Sequence, residues 1–203
     1  VTALLRARSS WRSAPRPLAP ALGATYGLGA RDLFDPAGVD NPTVTEETFL
    51  GTPNAAASWT RGVERQLAST INQIVIGTEV VSDNVFNNRT LFSKVFDIPQ
   101  IDNSDFDVLN IQEAVHALRQ MAAHGIDVVV PGDDDATDEI RARLHFYRAF
   151  GHLLSAELFV GLPAEPLGPV VEPATHYSLA VQDFEQARSL SSDAALDNAS
   201  LLG

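Results

Sequence analysis

His145 and His152 stand seven residues apart, near the same side of one helical segment, and are the closest this chain comes to a pair of metal ligands. Helical metal sites set their ligands a single turn apart with a carboxylate nearby, so this pair reads as partly buried or surface histidines. Asp133, Asp134 and Asp135, followed by Asp138 and Glu139, are dense enough to gather a cation. The same residues suit a solvated acidic turn in which Asp135 or Thr137 caps the next helix and the charges complement its dipole. Asn103, Asp105 and Asp107 have the alternating spacing with which a calcium loop begins. Val108 stands where that loop needs glycine and Ala114 where it needs glutamate, so the EF-hand reading fails. Glu79 and Asp83 lie one turn apart as a nominal carboxylate pair. Asp83 with Asn84 also suits a helix end, and Glu79 suits pairing with an arginine of a neighbouring helix. Trp59, Phe86, Phe92, Phe96 and Phe106 can stack on sugar rings where exposed, although large aromatics more often fill cores.

The motifs that usually announce catalysis are missing. There is no glycine-rich phosphate loop, no His-Glu-x-x-His and no Gly-x-Ser-x-Gly. With zero cysteines, disulfides, thiolate nucleophiles and zinc–cysteine sites are excluded. The sequence therefore assigns no catalytic residue, no metal ligand and no cofactor. It leaves the ligand-contacting residues unassigned and points away from an enzyme.

What must position any site is a set of helices. Glu139 to Pro163 reads as one amphipathic helix of about six turns. Ile140, Leu144, Tyr147, Gly151, Leu154 and Leu158 recur along one face of it. Ala142, Ala149, Gly151 and Ala156 keep that helix slim enough for a neighbour to approach closely, and Gly161 with Pro163 stops it. After a Pro/Gly-rich connector, Leu162 to Pro173, a second helix over His176–Leu190 carries Tyr177, Ala180, Phe184 and Ala187 on its stripe. Interlocking large and small residues make the two a helix-turn-helix unit of the tetratricopeptide kind, with a longer connector than that repeat allows. Two packed core helices of some other all-α protein would give the same periodicity.

Upstream, Thr45 to Leu50 reads as a short helix capped by Thr45. Pro53 or Asn54 opens a long helix to about Val81, striped by Trp59, Val63, Leu67, Thr70, Ile71, Ile74 and Thr78. Val85 to Asp107 is irregular and polar. Val108 to His124 is a helix with Ile111, Val115, Leu118 and Ala122 inward, ended by Gly125. Ile126 to Val130 reads as a short strand or a buried extended linker. The fold class is all-α: tetratricopeptide-like antiparallel helix pairs joined by long irregular loops.

Composition bounds the partners. The apolar fraction is 45% and the mean hydropathy −0.01, the values of a globular protein with ample core. No apolar run is long enough to span a membrane as a helix. The net charge of −12 divides unevenly, because residues 1–40 hold five arginines against three aspartates, which leaves −14 on residues 41–203. So acidic a body repels phosphate backbones, and nucleic acid is not an expected partner. In residues 1–35, basic Arg6 to Arg16 precede a weakly apolar stretch that ends in Leu28-Gly29-Ala30. That order suits a degenerate secretory signal or a disordered Arg/Ser/Pro tail. Arg31 occupies the position where a lipoprotein would carry its acylated cysteine, so a lipid anchor is not supported.

Four stretches in order resemble the SusD/RagB family of outer-membrane nutrient-binding lipoproteins. They are Asp35-Pro36 through Thr43, Glu79 through Asn84, Arg141 through Pro163 with Tyr147-Arg148-Ala149-Phe150 and Phe159-Val-Gly161-Leu-Pro163, and Tyr177 through Leu190 with Asp183 and Ala187. The resemblance implies that residues 36–203 are the N-terminal, tetratricopeptide-like part of such a protein. It implies non-catalytic binding of a glycan or other nutrient oligomer at the outer membrane, on its periplasmic or extracellular face. The implied partner is a SusC-like TonB-dependent transporter. An intracellular tetratricopeptide-like adaptor that binds other proteins is the alternative. Much of the ligand surface in the family lies in later segments, so no contact residue is carried over.

Overall fold

The computed structural model describes residues 46–82, 84, 101 and 104–202. The signal-like segment, Arg31, the Thr45 cap, Asp83, Asn103 and Phe86, Phe92 and Phe96 lie outside the described residues. Among the described residues there are six α-helices: α1 Glu46–Leu50, α2 Ala55–Val81, α3 Phe106–His124, α4 Asp138–Leu158, α5 Pro173–Leu190 and α6 Ala194–Leu202. The fold is all-α, with one minor two-stranded ladder.

Helix α4 is the centre of the arrangement. It packs most extensively along α5, and also against α3 and α2, while α6 leans on α5. Its composition explains this double duty. Leu144 and Tyr147 are buried with Val63 of α2 and Leu118 and Ala122 of α3 in one apolar cluster. Ala149 instead joins Ala180 and Phe184 of α5, with Phe146, Phe150 and Leu153 packed around them. Phe146 meets Phe184 edge-on with ring centroids 5.6 Å apart. Thr137 caps the helix by accepting from the Ile140 amide, as the acidic-turn reading expects. The helix ends at Leu158, before Gly161 and Pro163, because Phe159 is already extended.

One expectation fails in the middle of the chain. Gly125 follows the last residue of α3 as expected, but without the left-handed turn of a stopping glycine. It sits in right-handed helical conformation, and the chain continues as a π-helical turn over Gly125–Val129, neither strand nor extended linker. The glycine is there for space: a Cβ on it would lie 2.9 Å from both Leu144 and Trp59 side-chain atoms. Hydrophobic run and glycine were both compatible with a helix whose last turn is widened, which periodicity over so short a stretch cannot distinguish. Asp133 follows, and it is more than a solvated turn residue. Its Oδ2 accepts from the Ala56 amide at 2.8 Å, a cap supplied to α2 from across the fold, while Oδ1 accepts from Asp135. Asn54, the local N-cap residue, has left-handed backbone (φ 58°) and makes no side-chain cap.

The connector between α4 and α5 contains the small ladder, with strands β1 Leu162–Pro163 and β2 Val170–Val171 paired antiparallel. Gly161 admits it, since a Cβ there would press on Val170 and the Val171 carbonyl. Pro173 opens α5 three residues earlier than expected, at a position where its missing N–H costs nothing. The buried face of α5 is His176, Ala180, Asp183, Phe184 and Ala187. Tyr177, expected inside, is 40% exposed and donates to Glu157 instead.

Candidate functional site

The residues with chemical potential converge where α3, α4, α5 and the connector meet. Arg119 of α3 is only 2% exposed, and Gly151 of α4 makes room for it: a Cβ at 151 would stand 2.5 Å from Arg119 Cγ. Its guanidinium donates from Nη1 to His176 Nδ1 (3.3 Å), and from Nη2 to His116 Nδ1 (2.6 Å) and the Pro163 carbonyl (2.9 Å). Nε is buried without a partner. Every acceptor it has is uncharged, and among the described residues Arg119 makes no ion pair. Burial lowers its pKa to about 10, which leaves it a cation at neutral pH.

The histidine tautomers follow from the acceptors around them. The Leu162 carbonyl can only accept, so His176 donates to it from Nε2 at 3.1 Å and presents Nδ1 as a lone pair. Arg119 uses that lone pair, and so does His152 Nδ1–H at 3.0 Å. His152 is pushed down to about 3 by burial first, then by Arg119 and His176. Burial and Arg119 also lower His116 and His176, the latter partly opposed by its bond to Leu162. All three rings are therefore neutral at pH 7, and the arginine is the only charge in the node.

One helical turn toward the start of α4, the charges are balanced. Arg148 donates from Nε to Asp183 Oδ2 and from Nη2 to Oδ1, both at 2.7 Å, and His145 Nδ1 bonds the same Oδ1 at 2.8 Å. Burial alone would raise Asp183, but the His145 and Arg148 hydrogen bonds outweigh it and hold the carboxyl below its ordinary value. Both groups border a cavity of about 610 Å³. Its wall includes Arg119 and His152 from the node, Arg148 and Asp183 from the ion pair, and Gln120 and Gln182. The π-helical turn contributes Asp127 and Val128, and the connector contributes Glu165.

The residues singled out in the sequence are distributed differently. His145 and His152 both turn to α5, but to different partners, so the structure does not bring them together. Asp133 and Asp105 are helix caps, Asp105 accepting from the Asp107 amide. Asp138 and Glu139 pair with Arg141 and Arg143 on the surface of α4. Glu79 forms no ion pair among the described residues. Trp59 packs partly buried against the core, donating to the Met121 carbonyl and tilted against the rings of Phe49 and His124, whereas Phe106 is 65% exposed. Among the described residues no group of three histidine or carboxylate side chains is placed to hold a metal ion. Sequence reasoning missed Arg119, His176 and the inward side of Asp183. A signal existed: Arg119 lies one turn from both Val115 and Ala122 and so borders the apolar stripe of α3.

Set against family models, curated proteins and solved structures, the chain matches none. No helix among the described residues is long and apolar enough to cross a membrane.

Proposed function

We propose that this chain is the helical part of a non-catalytic capture protein of the SusD/RagB kind. In this reading it holds a glycan or other nutrient oligomer at the outer membrane for a TonB-dependent transporter. The observation that carries the reading is the pairing of Arg148 with Asp183. Arg148 belongs to one stretch that resembles the family and Asp183 to another, and each is the other's partner across α4 and α5. Two resemblances that were independent in sequence thus become one structural unit. The cavity beside them offers hydrogen-bonding side chains from three helices, which suits recognition of a polar oligomer. Its innermost carboxylate, Asp183, is committed to Arg148 and His145 and held ionised, so it is a poor proton donor.

The second reading, an intracellular adaptor, draws on Val75, Ile76 and Val81 near the end of α2, apolar side chains that are each exposed and open to a protein partner. Cell fractionation with affinity purification separates the two. Recovery in the outer membrane together with a large β-barrel transporter is the expected result. A purely cytosolic pool with helical protein partners would sink the capture reading.

A further inference from the structure

A buried cation normally has an anion beside it, because removing a charge from water is costly and pairing offsets that cost. Arg119 has none among the described residues. Two of its five N–H donors, Nε–H and one on Nη1, are unused after the bonds to His176, His116 and Pro163. Arg148 shows what the same fold does when a charge is balanced internally: Asp183 covers it in bidentate geometry. The two arginines line the same cavity, one satisfied and one not. The same cavity is lined by neutral groups that can hydrogen-bond, His152, Gln120 and Gln182, and by the exposed carboxylates Asp127 and Glu165.

That wall has a chemical complement. An inorganic anion would satisfy Arg119 but would gain nothing from Asp127 and Glu165, which would repel it. A neutral sugar would use the carboxylates and amides through its hydroxyls but leave Arg119 uncompensated. A sugar acid does both. We propose that the cavity beside Arg119 is a binding site for a uronic acid unit, whose carboxylate is the missing partner of Arg119 and whose hydroxyls donate to Asp127 and Glu165. This deepens the capture reading by naming an acidic oligosaccharide as its ligand class. The carboxylate takes a charge-assisted bond from Arg119, while His152, with Nδ1 engaged by His176, keeps an unprotonated Nε2 as an acceptor for a sugar hydroxyl.

The test is calorimetric titration of the full chain with galacturonate, and in parallel with galactose, glutamate and inorganic sulfate. Galacturonate is expected to bind saturably and at least about tenfold more tightly than galactose, the difference made by one charge-assisted bond. In ring-proton NMR spectra, galacturonate shifts the His152 and His176 signals of the unmodified protein. Arg119→Lys weakens galacturonate by about tenfold and leaves galactose unchanged. Gln182→Ala, on an exposed position of the wall, weakens both sugars. Equal binding of galactose and galacturonate, tighter binding of sulfate or glutamate, or no shift of either histidine at galacturonate concentrations on the order of 10 mM would overturn the proposal. If Arg119→Lys does not fold, the histidine shifts in the unmodified protein decide the matter. The two readings fail separately. A cytosolic protein that binds galacturonate keeps the site and loses the outer-membrane role. An outer-membrane protein indifferent to galacturonate does the reverse.

Discussion

Helix α4 divides the molecule into two halves built on opposite terms. On the side of α2 and α3, Val63, Leu118, Ala122, Leu144 and Tyr147 close an apolar cluster in which nothing needs a specific partner. Between α3, α4, α5 and the connector, Arg119, His116, His152 and His176 are held by directed bonds, with Asp183, Arg148 and His145 one turn away. The first half tolerates apolar side chains of suitable volume, since hydrophobic burial has no direction. The second depends on each donor meeting its acceptor, and it is where buried charge and a cavity coincide.

Substitutions can break this contrast at either end. Leu118→Ala removes a fully buried side chain from the apolar half and is expected to cost about 3 kcal/mol in denaturant unfolding. A loss under about 1 kcal/mol would mean that this half collapses freely around the gap. Asp183→Ala strands Arg148 and His145 and should cost about 2 kcal/mol, below the figure for a fully buried pair because Arg148 reaches solvent. Arg148→Met combined with Asp183→Leu should recover most of that loss, which separates the penalty of an orphaned charge from the worth of the pair. If the double variant is as unstable as the single one, the ion pair contributes more than charge neutralisation.

Acid provides the mildest test. His116, His152 and His176 have folded pKa values below the ordinary histidine value, so the unfolded chain binds protons before the folded one does. Stability is complete above about pH 6.5 and falls as pH drops toward the folded value, about 3 for His152. From pH 7 to pH 6 the expected loss is about 0.7 kcal/mol for His152, and His116 and His176 add to it in the same direction. Asp183 is depressed too, and its contribution is lost only lower, as pH falls below its ordinary 3.8 toward the folded value. His152→Leu should flatten the slope between pH 7 and pH 5 in unfolding titrations. An unchanged slope would place the proton uptake elsewhere.

The sequence disclosed the apolar half well and the polar half hardly at all. Leu118, Val115 and Leu144 repeat with the helical period, and periodicity is what burial imposes on a helix. Arg119 breaks no period, because a polar residue at the edge of a stripe reads as solvated unless its partners are known. Those partners lie on α3, α5 and the connector, separated by up to 57 residues, and no local rule joins them. Tyr177 and His176 exchange places for the same reason: the aromatic looks like the core residue, yet the imidazole has the bonds waiting inside. The run behind Gly125 is not legible as a π-helical turn, because a glycine that only stops a helix and one that also admits Trp59 and Leu144 are spelled alike.

The bond from Ala56 to Asp133 has a consequence for how the domain opens. The first turn of a long helix is ordinarily the part that frays, exchanging its amide hydrogens long before the rest unfolds. Here that turn has no cap of its own and borrows one from a residue 77 positions later, beyond α3 and the π-helical turn. The start of α2 is therefore secured only once the chain through Asp133 has docked. The cap couples the beginning of the domain to its middle, and a fragment that stops short of Asp133 would hold the sequence of α2 with a more readily fraying first turn.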